Sequence, residues 1–320
     1  KVIEYYKKSI SLNSNLAIPY CNMGVIFHEQ KKFREAEKLY LKAISIQPKY
    51  ADAYTNLGNV YNDNGKLEEA IEAYNKSILY NPNDADTYNN LGNVFKHQGK
   101  LDAAIDLYKK SININPKFVE GYNNMGVALY EQGKIEDALK AYNKSININP
   151  DYVKAYNNIG LILHKKGRLD EAVKVFQKSI KLKPDDYEVY NYIGNTYQEQ
   201  REIEKAIEAY DKSISINPSC VDAYNNLGIA FKYQGNVDKA ILAYKQAISI
   251  KPEFVEAHLN LSFALLNIGE FYEGIYEYEW RWKTLKGKLS QRHFSVPLWD
   301  GKKSLIGKRI LVWSEQGVGD

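Results

Sequence analysis

Asparagine recurs every 34 residues, at Asn22, Asn56, Asn90, Asn124 and Asn158 and again at Asn226 and Asn260, with Tyr192 in the one intervening place. A carboxamide donates through its NH2 and accepts through its oxygen. A column of such groups can bond an extended polypeptide, whose backbone offers N–H and C=O whatever its side chains. Asn is also a poor helix former, so repeating it inside helices costs stability unless its amide is used. Asn89, Asn123, Asn157, Asn191 and Asn225 stand immediately before members of this series or of its gap, and Asn59, Asn93 and Asn195 follow at a fixed offset. The expected chemistry is sequence-tolerant peptide binding. Two alternatives stay open: the chain is simply rich in Asn, or the amides bond across adjacent helices.

No catalytic constellation competes with this reading. The histidines at 28, 97, 164, 258 and 293 show no ligand spacing and no cysteine companions, so a zinc site is not expected. No Gly-x-x-x-x-Gly-Lys-Ser/Thr loop and no Gly-x-Ser-x-Gly elbow occurs. Asn75, Asn143 and Asn260 open glycosylation sequons, which on helices read as chance. Cys21 and Cys220 lie nearly six periods apart, too far for a disulfide along a rod. A reducing compartment, the cytoplasm, is expected. No apolar run approaches a membrane span.

The elements that must hold these asparagines follow from two further registers. Glycine recurs at Gly24, Gly58, Gly92, Gly126, Gly160, Gly194 and Gly228, and proline at Pro48, Pro82, Pro116, Pro150, Pro184, Pro218 and Pro252. Two registers locked at one period mark stacked identical units, each burying an apolar face against its neighbours. With the glycine as position 8, units begin at 17, 51, 85, 119, 153, 187, 221 and 255. Positions 4, 7, 8 and 11 share one helical face, which defines helix A. Position 15 is usually Gly, as at Gly65 and Gly99, and closes that helix in the left-handed region. Helix B carries Ala at position 20, an aromatic at 24 and Ser or Ala at 27, and stops before the proline. Small residues at 8, 20 and 27 let helix axes approach, and large ones at 4, 11 and 24 fill the spaces between.

This pattern closely resembles the tetratricopeptide repeat. The resemblance implies an all-α fold, a right-handed superhelix of helical hairpins (an α-solenoid) whose inner groove is lined by helix A. The expected organisation is helix B of a truncated repeat at 1–16, seven full repeats at 17–254 and a degenerate capping repeat at 255–288. A connector at 289–307 and the first strand and glycine-rich turn of a truncated α/β domain at 308–320 complete it. The eighth unit decays, with Ser262 in place of the glycine and Gly274 in place of the alanine. Its Trp280-Arg281-Trp282 reads as docking against whatever follows.

Net charge is +4, unevenly spread: from Arg281 onward nine Lys/Arg face three acids. The array itself is near neutral, which argues against wrapping duplex nucleic acid. The expected partners are extended protein or peptide segments, with no nucleic acid and no membrane, and with self-association through the end repeats as a further possibility.

Units such as Ala53-Tyr54-Thr55-Asn56-Leu57-Gly58-Asn59-Val60-Tyr61, followed by Leu67-Glu68-Glu69-Ala70-Ile71, resemble the repeat array of O-GlcNAc transferase. That family carries an asparagine ladder that holds the backbone of its protein substrate. The resemblance implies the same role for Asn22, Asn56, Asn90, Asn124, Asn158, Asn226 and Asn260, and fails at Tyr192. The carboxylate clamp of chaperone adaptors wants Lys at position 5, where this chain has Cys, Thr, Asn or Leu, so that partner class is disfavoured.

The last forty residues leave the period. Ile310-Leu311-Val312-Trp313 reads as a buried strand, and Gln316-Gly317-Val318-Gly319-Asp320 as a turn opening a helix. Together with the Pro-x-Trp-Asp-Gly connector, they resemble the start of a glycosyltransferase-like domain of the GT-B type. The resemblance implies that Asp320 is a catalytic base and that a nucleotide sugar binds in the full-length protein. No cofactor is expected in the stretch given, which on this reading is not itself an enzyme. The alternative is a general interaction scaffold with no associated sugar transfer.

Overall fold

The computed structural model describes residues 2–284. The expected connector at 289–307, the strand and turn at 308–320, and Asp320 lie outside the described residues. Among the described residues there are seventeen α-helices, one 3-10 helix and no strand. They fall into two compact units that divide between Pro184 and Asp185.

The first unit opens with α1 (Val2–Leu12) and continues as helical hairpins. These are α2 (Ala17–Glu29) with α3 (Phe33–Ile46), α4 (Ala51–Asp63) with α5 (Leu67–Tyr80), α6 (Ala85–His97) with α7 (Leu101–Ile114), α8 (Val119–Glu131) with α9 (Ile135–Ile148), and α10 (Val153–Lys165) with α11 (Leu169–Leu182). The second unit holds α12 (Tyr187–Glu199) with α13 (Ile203–Ile216), α14 (Val221–Tyr233) with α15 (Val237–Ile250), and α16 (Val255–Asn267) with α17 (Phe271–Tyr278). The 3-10 helix Glu279–Lys283 follows. The hairpins recur at the 34-residue spacing, with α2 beginning at Ala17 and α1 ahead of it.

Size complementarity builds each hairpin. Every position-20 alanine from Ala36 to Ala240 is fully buried, as are Tyr40, Tyr108, Phe176, Tyr210 and Tyr244 at position 24. The aromatic ring lies on the position-8 glycine of its own repeat, in the space a side chain there would need. The serine at position 27 ties the two helices: Ser111 Oγ donates to the Ala85 carbonyl at 2.8 Å and Ser213 Oγ to that of Tyr187 at 2.9 Å. Position 31 makes the turn out of helix B. Asn115 Oδ1 accepts from the N–H of Lys117 and Asn149 Oδ1 from that of Asp151, an Asx-turn ahead of the next helix.

The turn from helix A to helix B needs a left-handed residue. Gly65, Gly99, Gly133, Gly167, Gly235 and Gly269 supply it, with φ from 72° to 87°. In two repeats the same place is held by Lys31 (φ 58°) and Arg201 (φ 62°). The hairpin geometry therefore overrides the side chain's preference.

Within each unit successive A helices come within 8 Å of each other between Cα atoms, while no such approach joins successive B helices among the described residues. The A helices therefore form the tighter, inner layer and the B helices the outer one. The last hairpin keeps this arrangement although α17 shortens to 8 residues. Trp280 turns back onto the repeat instead of projecting from it. Its ring stacks on His258 at 3.7 Å, and Lys283 Nζ lies 3.6 Å from its centroid.

Candidate functional site

Each class of asparagine has its own destination. The position-9 residues, grouped in the sequence with the inner-face series, point into the hairpin. Asn59 Oδ1 accepts the hydroxyl of Tyr74, Asn93 Oδ1 that of Tyr108 and Asn195 Oδ1 that of Tyr210, each at 2.7 Å. Burial raises the pKa of each of these phenols above the ordinary tyrosine value. The sequence did carry a signal for this. Where position 9 is Leu161 the ring is Phe176, which has no hydroxyl. Where position 9 is Val25, Val127 or Ile229 the ring is still tyrosine, and of these the Tyr40 and Tyr244 hydroxyls are buried without a hydrogen-bond partner.

The position-6 series forms bonds between repeats. Asn124 Nδ2 donates to Asn89 Oδ1 at 3.0 Å, Asn158 Nδ2 to Asn123 Oδ1 at 3.0 Å, and Asn260 Nδ2 to Asn225 Oδ1 at 2.9 Å. Asn226 Nδ2 reaches both Asn191 Oδ1 at 3.1 Å and Asn195 Oδ1 at 3.0 Å. Where position 5 is not Asn the acceptor changes. Asn90 turns to Asn59 Oδ1 at 3.1 Å because Thr55 holds Ser77 and Thr87 instead. Asn56 donates to Cys21 Sγ at 3.6 Å, and the Cys21 thiol pKa is raised chiefly by burial. Both cysteines are free and buried.

The cross-helix alternative left open by the sequence thus describes the NH2 half of the amides of Asn56, Asn90, Asn124, Asn158, Asn226 and Asn260. The acceptors at position 5 are buried: Asn123 is 4% exposed and Asn89 5%. The position-6 residues, Asn22 included, are half-buried on the A-helix layer. Their oxygens are used lightly. Asn90 Oδ1 and Asn124 Oδ1 each receive one long bond from the neighbouring amide, at 3.5 and 3.3 Å, which leaves further acceptor capacity on a two-lone-pair oxygen. The nitrogens of Asn90, Asn124, Asn158, Asn226 and Asn260 are thus engaged between repeats. No group of His, Cys, Asp and Glu that could hold a metal occurs among the described residues. No described helix is long and apolar enough to cross a membrane.

Comparison with known proteins agrees with this architecture. A family model described as the cilia and flagella-associated protein 70 C-terminal domain matches residues 50–231, more than half of the chain. Models of the tetratricopeptide repeat match residues 24–65 and 221–254. The chain belongs to this tetratricopeptide-repeat family. Among solved structures it is similar to a chain of the APC/C hetero-tetramer Cut9-Hcn1, with 17% identity and a TM-score of 0.64, covering 82% of this chain and 52% of that one. This chain thus spans about half the length of that relative. It is also similar to pilF of Pseudomonas aeruginosa, with 23% identity and a TM-score of 0.58 over 65% of this chain and 94% of that one. A tetratricopeptide repeat protein from Parabacteroides merdae shares 19% identity at a TM-score of 0.59, over 78% of this chain and 98% of that one. At these identities the structural likeness concerns the fold. No curated protein matches the chain in sequence. The tetratricopeptide array is a repeat scaffold of the kind used for protein–protein interaction.

Proposed function

We propose that the A-helix layer binds extended polypeptide with little sequence preference, by accepting main-chain N–H groups on the carboxamide oxygens of Asn90, Asn124, Asn158, Asn226 and Asn260, with Asn22 and Asn56 continuing the row. The observation that carries this reading is the inter-repeat bond on each nitrogen. It fixes the amide in place, so little rotamer entropy remains to be lost when a ligand arrives. Acceptors alone recognise any polypeptide, because every residue except proline brings an N–H.

The same reading extends to a glycosyltransferase whose substrate arm this array would be, with a nucleotide sugar as donor and Asp320 as base. Its support is the sequence alone, at Gly317-Val318-Gly319-Asp320. A scaffold without sugar transfer is the second reading. It is favoured by the match to a domain named for cilia and flagella.

Fluorescein-labelled twelve-residue peptides of mixed Ala, Ser and Thr, followed by anisotropy, test the ladder. Shuffled sequences should bind alike, and peptides N-methylated at alternate amides should bind about tenfold or more weaker, since each lost hydrogen bond is worth about 1 kcal/mol. Equal binding of the N-methylated peptides, or no binding of either set, overturns the reading. Extending the chain past Asp320 and assaying transfer from labelled nucleotide sugars separates the two larger readings.

A further inference from the structure

Tyr192 interrupts the asparagine row and stands at the wall of a recess. Tyr192 lines a recess of about 300 Å³ with Tyr187, Glu188 and Asn191 of α12, Asp222 of α14, and Lys251 and Phe254 of the turn before α16. That volume is at the lower end of ligand pockets and suits one long side chain. Asn191 is 8% exposed, and its oxygen is held by Asn226, so one wall is rigid. Tyr192 is half-buried. Its phenol pKa is raised first by burial and then by Glu188, Asp186 and Asp222, which marks a negative field at the ring.

The charges around the cavity are unevenly committed. Lys251 Nζ lies 5.4 Å from the centroid of the Phe254 ring. Glu188 accepts only a long bond from the Tyr187 hydroxyl, at 3.4 Å. Glu188 and Asp222 are both exposed, and neither has a cationic partner among the described residues.

We propose that this cavity receives an arginine side chain of the bound polypeptide, giving an otherwise sequence-tolerant array one point of side-chain choice. A guanidinium is planar and weakly hydrated, stacks on tyrosine rings and pairs in a fork with carboxylates. Tyr187 and Tyr192 offer the rings, and Glu188 and Asp222 the carboxylates. A lysine ammonium would meet the same charges without the fork or the stacking. The inference rests on the peptide-binding reading above for the delivery of the side chain, not for the chemistry of the recess.

The test uses the full chain and the Ala/Ser/Thr peptide carrying one central arginine, lysine or citrulline, the last being the neutral isostere of arginine. The arginine peptide should bind about tenfold tighter than the citrulline peptide, with lysine between them. Glu188→Gln with Asp222→Asn, both at exposed positions, should remove most of that advantage. Tyr192→Asn should remove it as well, so that the arginine and citrulline peptides then bind alike. Equal binding of arginine and citrulline peptides, equal binding of arginine and lysine peptides, or an advantage that survives the double substitution overturns the proposal. If no peptide binds, the backbone reading falls separately. Titration with N-acetyl-argininamide against N-acetyl-citrullinamide, followed through the Asn191 side-chain amide resonances, then decides the recess: shifts with arginine alone support it, and shifts with neither overturn it.

Discussion

A Cβ on Gly92 would stand 2.7 Å from Cε1 of Tyr108, inside the space the ring already fills. Tyr108 is fully buried and its hydroxyl is tied to Asn93, so the ring has nowhere to retreat. Gly92→Ala is expected to cost about 1–3 kcal/mol, as overpacking does. Tyr108→Leu in the same molecule should recover part of that loss. Gly99→Ala meets nothing within 4 Å and should cost only about 1 kcal/mol, through its positive φ. Chemical denaturation of the three variants, with hydrogen exchange to localise the effect, checks the order.

Lys31 and Arg201 stand in the left-handed conformation that glycine takes in the other repeats. Lys31→Gly and Arg201→Gly should each stabilise by about 0.5–1 kcal/mol, the relief of strain exceeding the extra entropy of glycine in the unfolded chain. A lower melting temperature for both would show that their side chains contribute more than their backbones cost.

Tyr40 and Tyr244 bury hydroxyls that find no partner. Tyr40→Phe and Tyr244→Phe should be neutral or stabilising, whereas Tyr108→Phe should destabilise by about 1 kcal/mol because it leaves Asn93 Oδ1 without its donor. Comparing the three melts distinguishes a paired from an unpaired hydroxyl in one scaffold.

Alkaline pH should unfold the array. Burial raises the pKa values of Tyr40, Tyr74, Tyr108, Tyr142, Tyr210 and Tyr244. The folded state therefore keeps protons that the unfolded state releases once pH passes the ordinary tyrosine value of about 10. Stability from these groups is complete below that pH and is lost as pH rises above it. Absorbance at the tyrosinate band should show exposed phenols titrating first and the buried set only with loss of helical circular dichroism. A single smooth titration with helicity intact would contradict this.

The hairpins were legible because their signals are steric and local. A Cβ at the position-8 glycine would enter the space of the ring in the seven repeats from Gly24 to Gly228, and the recurring proline from Pro48 to Pro252 follows the end of each helix B. The destinations of the amides were harder to read, since Asn serves four jobs here. It makes the turn at Asn115, receives a phenol at Asn93, accepts between repeats at Asn123 and donates between repeats at Asn124. The second leaves a partial trace in the chain itself, since Asn59, Asn93 and Asn195 go with tyrosine and Leu161 with Phe176, but Val25, Val127 and Ile229 go with tyrosine as well. The direction of the inter-repeat bonds depends on how one A helix settles against the next, a distance that no single repeat encodes. The recess at Tyr192 is lined from α12, the start of α14 and the turn before α16, segments far apart in the chain, so the sequence marked the exception without showing the recess.

The bond between Asn124 and Asn89 has the same donor and acceptor as that between Asn158 and Asn123. Excising residues 119–152 would bring Asn158 to Asn89 and rebuild an equivalent joint, and duplicating that block would create one more. Such a joint makes the number of modules adjustable by in-frame loss or gain of a block. The length of surface can then be retuned over evolutionary time by repeats joined in this way, whereas the joints at Asn56 and Asn90 and the gap at Tyr192 differ and would not be rebuilt by such a block.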